Sequence, residues 1–137
     1  MIVVDTNILA YCLMPGPKNQ QAEALLEANG DWAAPYLWRS EMRNLLTGYI
    51  RKGEYDGRTA EILMQKAGRF LTGGEHFVDD HAIFELVGES KCTAYDCEFV
   101  ALAQTLGTYL VTEDKALLQA FPSWCRSLEQ AIASSQA

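Results

Sequence analysis

The sequence predicts an α/β protein, a three-layer α/β/α sandwich around a mainly parallel sheet. Three observations predict it. Short apolar runs such as Ile2-Val3-Val4 and Tyr109-Leu110-Val111 alternate with stretches of helical period. Strands separated in this way pair in parallel through crossover helices, which then cover both sheet faces. Carboxylates stand just past the first and last clear runs, Asp5 and Asp114, where open α/β sheets hold their ligands.

In chain order, Ile2-Val3-Val4 is a short buried strand. Asp5, Thr6 and Asn7 supply turn and cap chemistry for a helix through Ile8, Leu9, Tyr11 and Cys12, which Pro15-Gly16-Pro17 stops. A second helix over 19–28 carries Ala22, Leu25 and Leu26 and ends at Asn29-Gly30. Trp32-Ala33-Ala34 is a second strand. From Leu37, residues Trp38, Met42, Leu45, Leu46, Tyr49 and Ile50 keep helical spacing until Gly53, and Asp56 opens another helix through Ile62, Leu63, Ala67 and Phe70 to Gly73-Gly74. His76-Phe77-Val78 is strand-like, with Asp79 or Asp80 as a cap and a short helix over 83–87. A helix runs from near Asp96 to Gly107, and Tyr109 to Val111 is the clearest late strand. Ser127 and Gln130 have capping-box spacing for a last helix. No repeat or linker divides the chain, so 1–137 is expected to form one domain, fraying over 134–137.

The net charge of −7 argues at first against nucleic acid, but the cations are unevenly spread. Seven of the eleven Lys and Arg residues lie between Arg39 and Arg69 against four acids, making that stretch +3 and the remainder −10. The two helices over 39–72 thus read as a basic arm able to meet an anionic polymer while acids elsewhere hold metal; a merely solvated face is the ordinary alternative. Cys12, Cys92, Cys97 and Cys125 form no C-x-x-C pair and no zinc spacing with His76 or His81, which implies a reduced, cytoplasmic protein. No segment approaches the roughly 18 apolar residues of a membrane span.

Asp5, Glu41, Asp96 and Asp114 are the candidate chemistry. Two like charges about 4 Å apart repel by roughly 4 kcal/mol at an effective dielectric near 20, so a cluster of them calls for protons or a cation. Magnesium or manganese suits an all-oxygen set. Each acid has a plainer use: Asp5 and Asp114 as helix caps, and Asp96 as the opening of a helix, where the dipole stabilises an anion. Glu41 is harder to explain away, because it lies near the apolar boundary of its helix and Arg39 and Arg43, two residues away, do not share its face.

Four segments together resemble the PIN domain: Val3-Val4-Asp5-Thr6-Asn7, Glu41-Met42-Arg43-Asn44-Leu45-Leu46, Tyr95-Asp96-Cys97-Glu98-Phe99-Val100-Ala101-Leu102-Ala103, and Leu110-Val111-Thr112-Glu113-Asp114-Lys115-Ala116-Leu117. They stand in the family's order across nearly the whole chain, and the chain looks most like the ribonuclease toxins of type II toxin-antitoxin pairs. The resemblance implies a metal-dependent endoribonuclease. Asp5, Glu41, Asp96 and Asp114 match the acidic quartet that holds magnesium or manganese, with Thr6, Asn7 and Thr112 as supporting polar positions. It also implies an RNA substrate, a cognate antitoxin and a homodimer. Charge alone nominates Arg39, Arg43, Lys52 and Lys115 as phosphate contacts. Tyr36 or Trp38 is a candidate for stacking a base, and Leu13, Met14, Leu63 and Met64 for touching a partner. The rival functional reading is a non-catalytic PIN-fold module that binds RNA or protein. A phosphohydrolase or receiver-like domain with Asp5 as phosphoacceptor is disfavoured, since the companion acid pair and the Ser/Thr and Lys pair of such domains are missing.

Overall fold

A computed structural model describes residues 1–136. The strands are β1 (Ile2–Val4), β2 (Trp32–Pro35), β3 (Glu75–His76), β4 (Leu110–Val111) and β5 (Cys125–Arg126). They form one sheet in the order β3-β2-β1-β4-β5, and every pairing is parallel. Around it lie α1 (Thr6–Leu13), α2 (Asn19–Ala28), α3 (Trp38–Arg51), α4 (Gly57–Phe70), α5 (Asp80–Gly88), α6 (Ala94–Leu106), α7 (Lys115–Ala120) and α8 (Leu128–Gln136). The expected α/β sandwich is therefore the observed one. All residues of β1, β2 and β4 are buried, as parallel strands covered on both faces must be.

Helix α6 packs on β1, β2 and β4, with α5 against it. Helix α1 packs with α2, α3 and α4, and α8 closes on α2. The two buried tryptophans tie strands to helices. Trp32 donates its indole N–H to the Asn29 carbonyl at 2.6 Å, and Trp38, fully buried on α3, donates to Glu75 Oε2 of β3 at 2.9 Å. Gly74 lets β3 approach β2, because a Cβ there would lie 2.2 Å from the Trp32 carbonyl oxygen. Gly107 ends α6 in the left-handed conformation, φ 68°.

Several expectations shift at element ends. The third strand is Glu75–His76 rather than 76–78: its last pairing joins Pro35 to His76, and Phe77, 89% exposed, lies beyond it before Asp79 caps α5. Helix α6 begins at Ala94, capped by Thr93, so Asp96 sits inside the first turn. Strand β5 was not expected. Two residues are too short a run to show a period, and tertiary pairing with β4 decides it, helped by the Arg126 guanidinium lying 4.0 Å from the Tyr109 ring centre. The capping box holds: Ser127 and Gln130 exchange backbone-to-side-chain hydrogen bonds. The C-terminal residues 134–136, expected to fray, continue α8, and Ala137 lies outside the described residues. No helix is long and apolar enough to cross a membrane among the described residues.

Candidate functional site

Successive strands are added outward from β1 to β3, and the chain then returns to place β4 on the other side of β1. Strand order reverses between β1 and β4, so connections leaving their carboxyl ends diverge and leave a crevice. Val4 pairs with Val111, which sets Asp5 beside Thr112 as the first residues past the two strands. The Asp5 backbone N–H donates to the Val111 carbonyl, and the Thr112 hydroxyl donates to Asp5 Oδ2.

Asp5 caps α1 as well, its Oδ1 accepting from the backbone N–H groups of Asn7 at 3.0 Å and Ile8 at 3.3 Å. Capping and lining the crevice are thus one job: the cap fixes Oδ1 and Thr112 fixes Oδ2. Asp114 is built alike, capping α7 by accepting from Ala116 at 2.8 Å and Leu117 at 3.2 Å, while its own N–H donates to the Thr112 hydroxyl oxygen at 3.1 Å. Glu41, in the first turn of α3, accepts from the Thr6 hydroxyl at 2.7 Å. With Thr93 taking the cap of α6, Asp96 is left to face the crevice. The result is a pocket of about 410 Å³ lined by Asp5, Thr6, Asn7, Glu41, Asp96 and Asp114, with Asn44, Leu45, Phe99 and Leu117 completing the wall. Thr112 is fully buried behind it.

The acids are close enough to feel one another. Burial, opposed by the hydrogen bonds from Thr112, Ile8 and Asn7 and augmented by the Glu41 charge, pushes Asp5 up to about 6. Burial and the Asp96 charge raise Glu41 against the Thr6 hydrogen bond; burial and the Asp114 charge raise Asp96. Among the described residues, no three His, Cys, Asp or Glu side chains are grouped tightly enough to hold a metal ion as they stand. Asp5, Glu41, Asp96 and Asp114 all line this one pocket. By donor chemistry the set fits a hard divalent cation, being all oxygen and mostly anionic. Asp5, Glu41, Asp96 and Asp114 are the residues that could hold it.

The basic candidates fall elsewhere. Arg39 is spent on Glu75, its Nε and Nη2 donating to the two carboxylate oxygens at 2.6 and 2.7 Å, and it lines with Arg43 a groove between α3 and α4 of about 530 Å³. Both are absent from the acidic pocket's lining, because a two-residue step along α3 turns them away from Glu41. Lys52 is the C-cap of α3, far along the helix; Lys115 is exposed beside Asp114. Trp38 belongs to the core and is corrected as a stacking candidate, whereas Tyr36 is 41% exposed with its ring 4.6 Å from that of Phe77. Met14 is buried, which removes it as an exposed partner contact; Leu13, Leu63 and Met64 are half-buried against the core. His81 pairs with exposed Glu85 rather than with the site.

Two residues were missed. Glu98, outside the pocket's lining, is raised by burial and by the charges of Glu41 and Asp80, so a fifth acid lies within electrostatic reach of Glu41; its only sequence signal is a carboxylate within the apolar stretch of α6. Glu113 accepts from Lys18 Nζ at 2.7 Å and from the Leu128 N–H at 3.0 Å, pinning the loop between Thr112 and Asp114 to the α1–α2 turn and to α8. Nothing in the sequence announces contacts across 95 residues.

The family model described as "PIN domain" matches residues 2–121. Ribonuclease VapC3 of Pyrobaculum aerophilum is 27% identical over 127 residues, an alignment covering 89% of this chain and 95% of that protein. Among solved structures, PAE2754 of Pyrobaculum aerophilum superposes with a TM-score of 0.77 at 19% identity, covering 98% of this chain and 96% of the other. A toxin-antitoxin complex from Klebsiella pneumoniae superposes at 0.61 and 20% identity, covering 85% and 90%. At such identities these two structures speak for the fold.

Proposed function

The chain belongs to the PIN-domain family, and from that premise we propose that it is a metal-dependent endoribonuclease, the toxin of a toxin-antitoxin pair. The observation that carries this is the convergence of Asp5, Glu41, Asp96 and Asp114 on one pocket at the reversal of strand order. The similarity to Ribonuclease VapC3 supports RNA as the substrate. Likeness to a toxin-antitoxin complex supports a cognate antitoxin, and we include a homodimer in the same reading. Free thiols at Cys12, Cys92, Cys97 and Cys125 suit the reducing cytoplasm, and we take 1–137 as one such domain, with the basic arm over 39–72 inside it.

The four carboxylates would hold one or two magnesium or manganese ions. Such an ion, when bound, supplies the charge that polarises a phosphoryl oxygen and acidifies the attacking water. The chain's own contribution is placement. Thr112 and the backbone donors of Asn7 and Ile8 keep Asp5 in one rotamer, Thr6 does the same for Glu41, and Ala116 and Leu117 do so for Asp114. Leu45, Phe99 and Leu117 exclude part of the bulk water. The phosphate contacts nominated by charge, Arg39, Arg43, Lys52 and Lys115, sort by position: Lys115 adjoins the pocket, Arg43 serves a longer RNA path over α3 and α4 beside an Arg39 already engaged by Glu75, and Lys52 stands at the far end of α3.

The groove between α3 and α4 lined by Arg39 and Arg43, apart from the acidic pocket, favours a second reading, a PIN-fold module that binds RNA or protein without cutting. Cleavage of a panel of structured RNAs with magnesium or manganese, beside EDTA and the variants Asp5→Asn and Asp96→Asn, separates the two. The nuclease cuts only with metal and loses cutting in both variants. Cutting that survives both substitutions, or none with either metal, sinks the nuclease.

A further inference from the structure

A second cavity, of about 430 Å³, adjoins the acidic pocket. Tyr11 and Met14 of α1, the turn over 15–18 and Tyr49 of α3 form most of its wall, and Asn7 and Leu45 line both spaces. We propose that this cavity is a nucleobase subsite, receiving the unpaired base next to the phosphodiester in the acidic pocket; the proposal rests on the ribonuclease reading. Five observations carry it.

The volume and a mostly aromatic and aliphatic wall with few polar groups are those of a small-ligand site. Tyr11 and Tyr49 are half-buried in the cavity wall, Tyr49 with its ring 5.3 Å from that of Tyr55, and an aromatic wall of this kind accepts any base by stacking. The Asn7 side chain makes no hydrogen bond among the described residues, since only its backbone N–H is engaged by Asp5, so its carboxamide is free for a base edge. Lys18 stands at the cavity with one N–H donated to Glu113 and two left for a phosphate oxygen. Sharing Asn7 and Leu45 with the acidic pocket makes the two spaces neighbours along one strand, so a nucleotide whose phosphate meets the carboxylates has its base at the cavity mouth. A base paired and stacked in a duplex cannot enter, which makes the substrate class single-stranded or looped RNA.

The test is a binding scan that does not depend on cleavage. Non-cleavable 2′-O-methyl RNA octamers, each with one base removed at successive positions, are titrated against the wild type, Tyr49→Ala and Gly16→Trp by fluorescence anisotropy. Gly16 lines the cavity and a Cβ there meets nothing within 4 Å, so a side chain can leave the backbone at this position without a clash, which makes it the second variant should Tyr49→Ala fold poorly. We expect one position at which base removal weakens binding on the order of tenfold. Both variants should weaken the intact octamer similarly and be insensitive to base removal there, while Tyr49→Phe behaves as wild type. A flat scan, no octamer binding, or a positional penalty unchanged in both variants overturns the subsite. A positional penalty in a protein that cuts no RNA keeps the subsite and sinks the nuclease, whereas RNA cutting with a flat scan does the reverse.

Discussion

Replacing Asp5 by Asn should stabilise the metal-free protein while abolishing its activity. Asp5 is pushed up from 3.8 to about 6, chiefly by burial. For an acid whose folded value lies above its unfolded one, the folded state holds the proton longer, so stability falls as pH rises from about 4 to about 6 and stays lower above it. A shift of this size corresponds to about 3 kcal/mol at pH 7. Asn keeps an oxygen for the Asn7 and Ile8 N–H groups but repels no neighbouring carboxylate. Some loss at Thr112 reduces the gain to about 1–3 kcal/mol, or roughly 2–10 °C in Tm. Thermal unfolding in EDTA between pH 5 and 8 is the assay. The wild type should lose stability across the lower half of that range, the variant much less, and the gap should be full by pH 7. Manganese should erase the gap by stabilising only the wild type, about 2.7 kcal/mol at a hundredfold excess over its Kd. A variant less stable than wild type at pH 7.5 in EDTA would refute the claim that burial and acidic neighbours, rather than hydrogen bonds, dominate Asp5.

Three further outcomes follow from other contacts. Thr112→Val removes the hydroxyl that orients Asp5 and receives the Asp114 N–H, and should weaken manganese binding by about 10–100-fold, read by calorimetric titration with the fold intact. Glu75→Ala leaves the buried Trp38 N–H without its acceptor and Arg39 without its partner, and should cost about 2–3 kcal/mol in urea unfolding. Because the Arg39 hydrogen bonds hold Glu75 below its ordinary value, the wild type should keep this advantage above pH 4.5 and lose it as pH falls through that lowered value, narrowing the gap to Glu75→Ala. Gly74→Ala drives a methyl into the β2 backbone and should destabilise by about 3 kcal/mol or more, measurable as a lower urea midpoint.

The sequence by itself determined the layered α/β class, the runs that became β1, β2 and β4, the capping box of α8 and the identity of the acids that share a pocket. Those signals are local: apolar runs, cap residues and turn formers act within a few residues of themselves. The order of strands, the adjacency of Asp5 to Thr112 across 107 residues and the existence of β5 were decided only by tertiary structure, because register between distant strands depends on how crossover helices pack and not on any one segment. The same holds for the cations. Charge nominates Arg39 and Arg43 as phosphate contacts and helix periodicity already sets them off Glu41's face, but only packing against α4 and β3 gives them a groove of their own and gives Arg39 to Glu75. Lys18, in the turn after α1 and far from every motif, reaches Glu113 at the edge of the site because α1 and the loop over 112–114 leave the adjacent ends of β1 and β4, where the sheet order reverses.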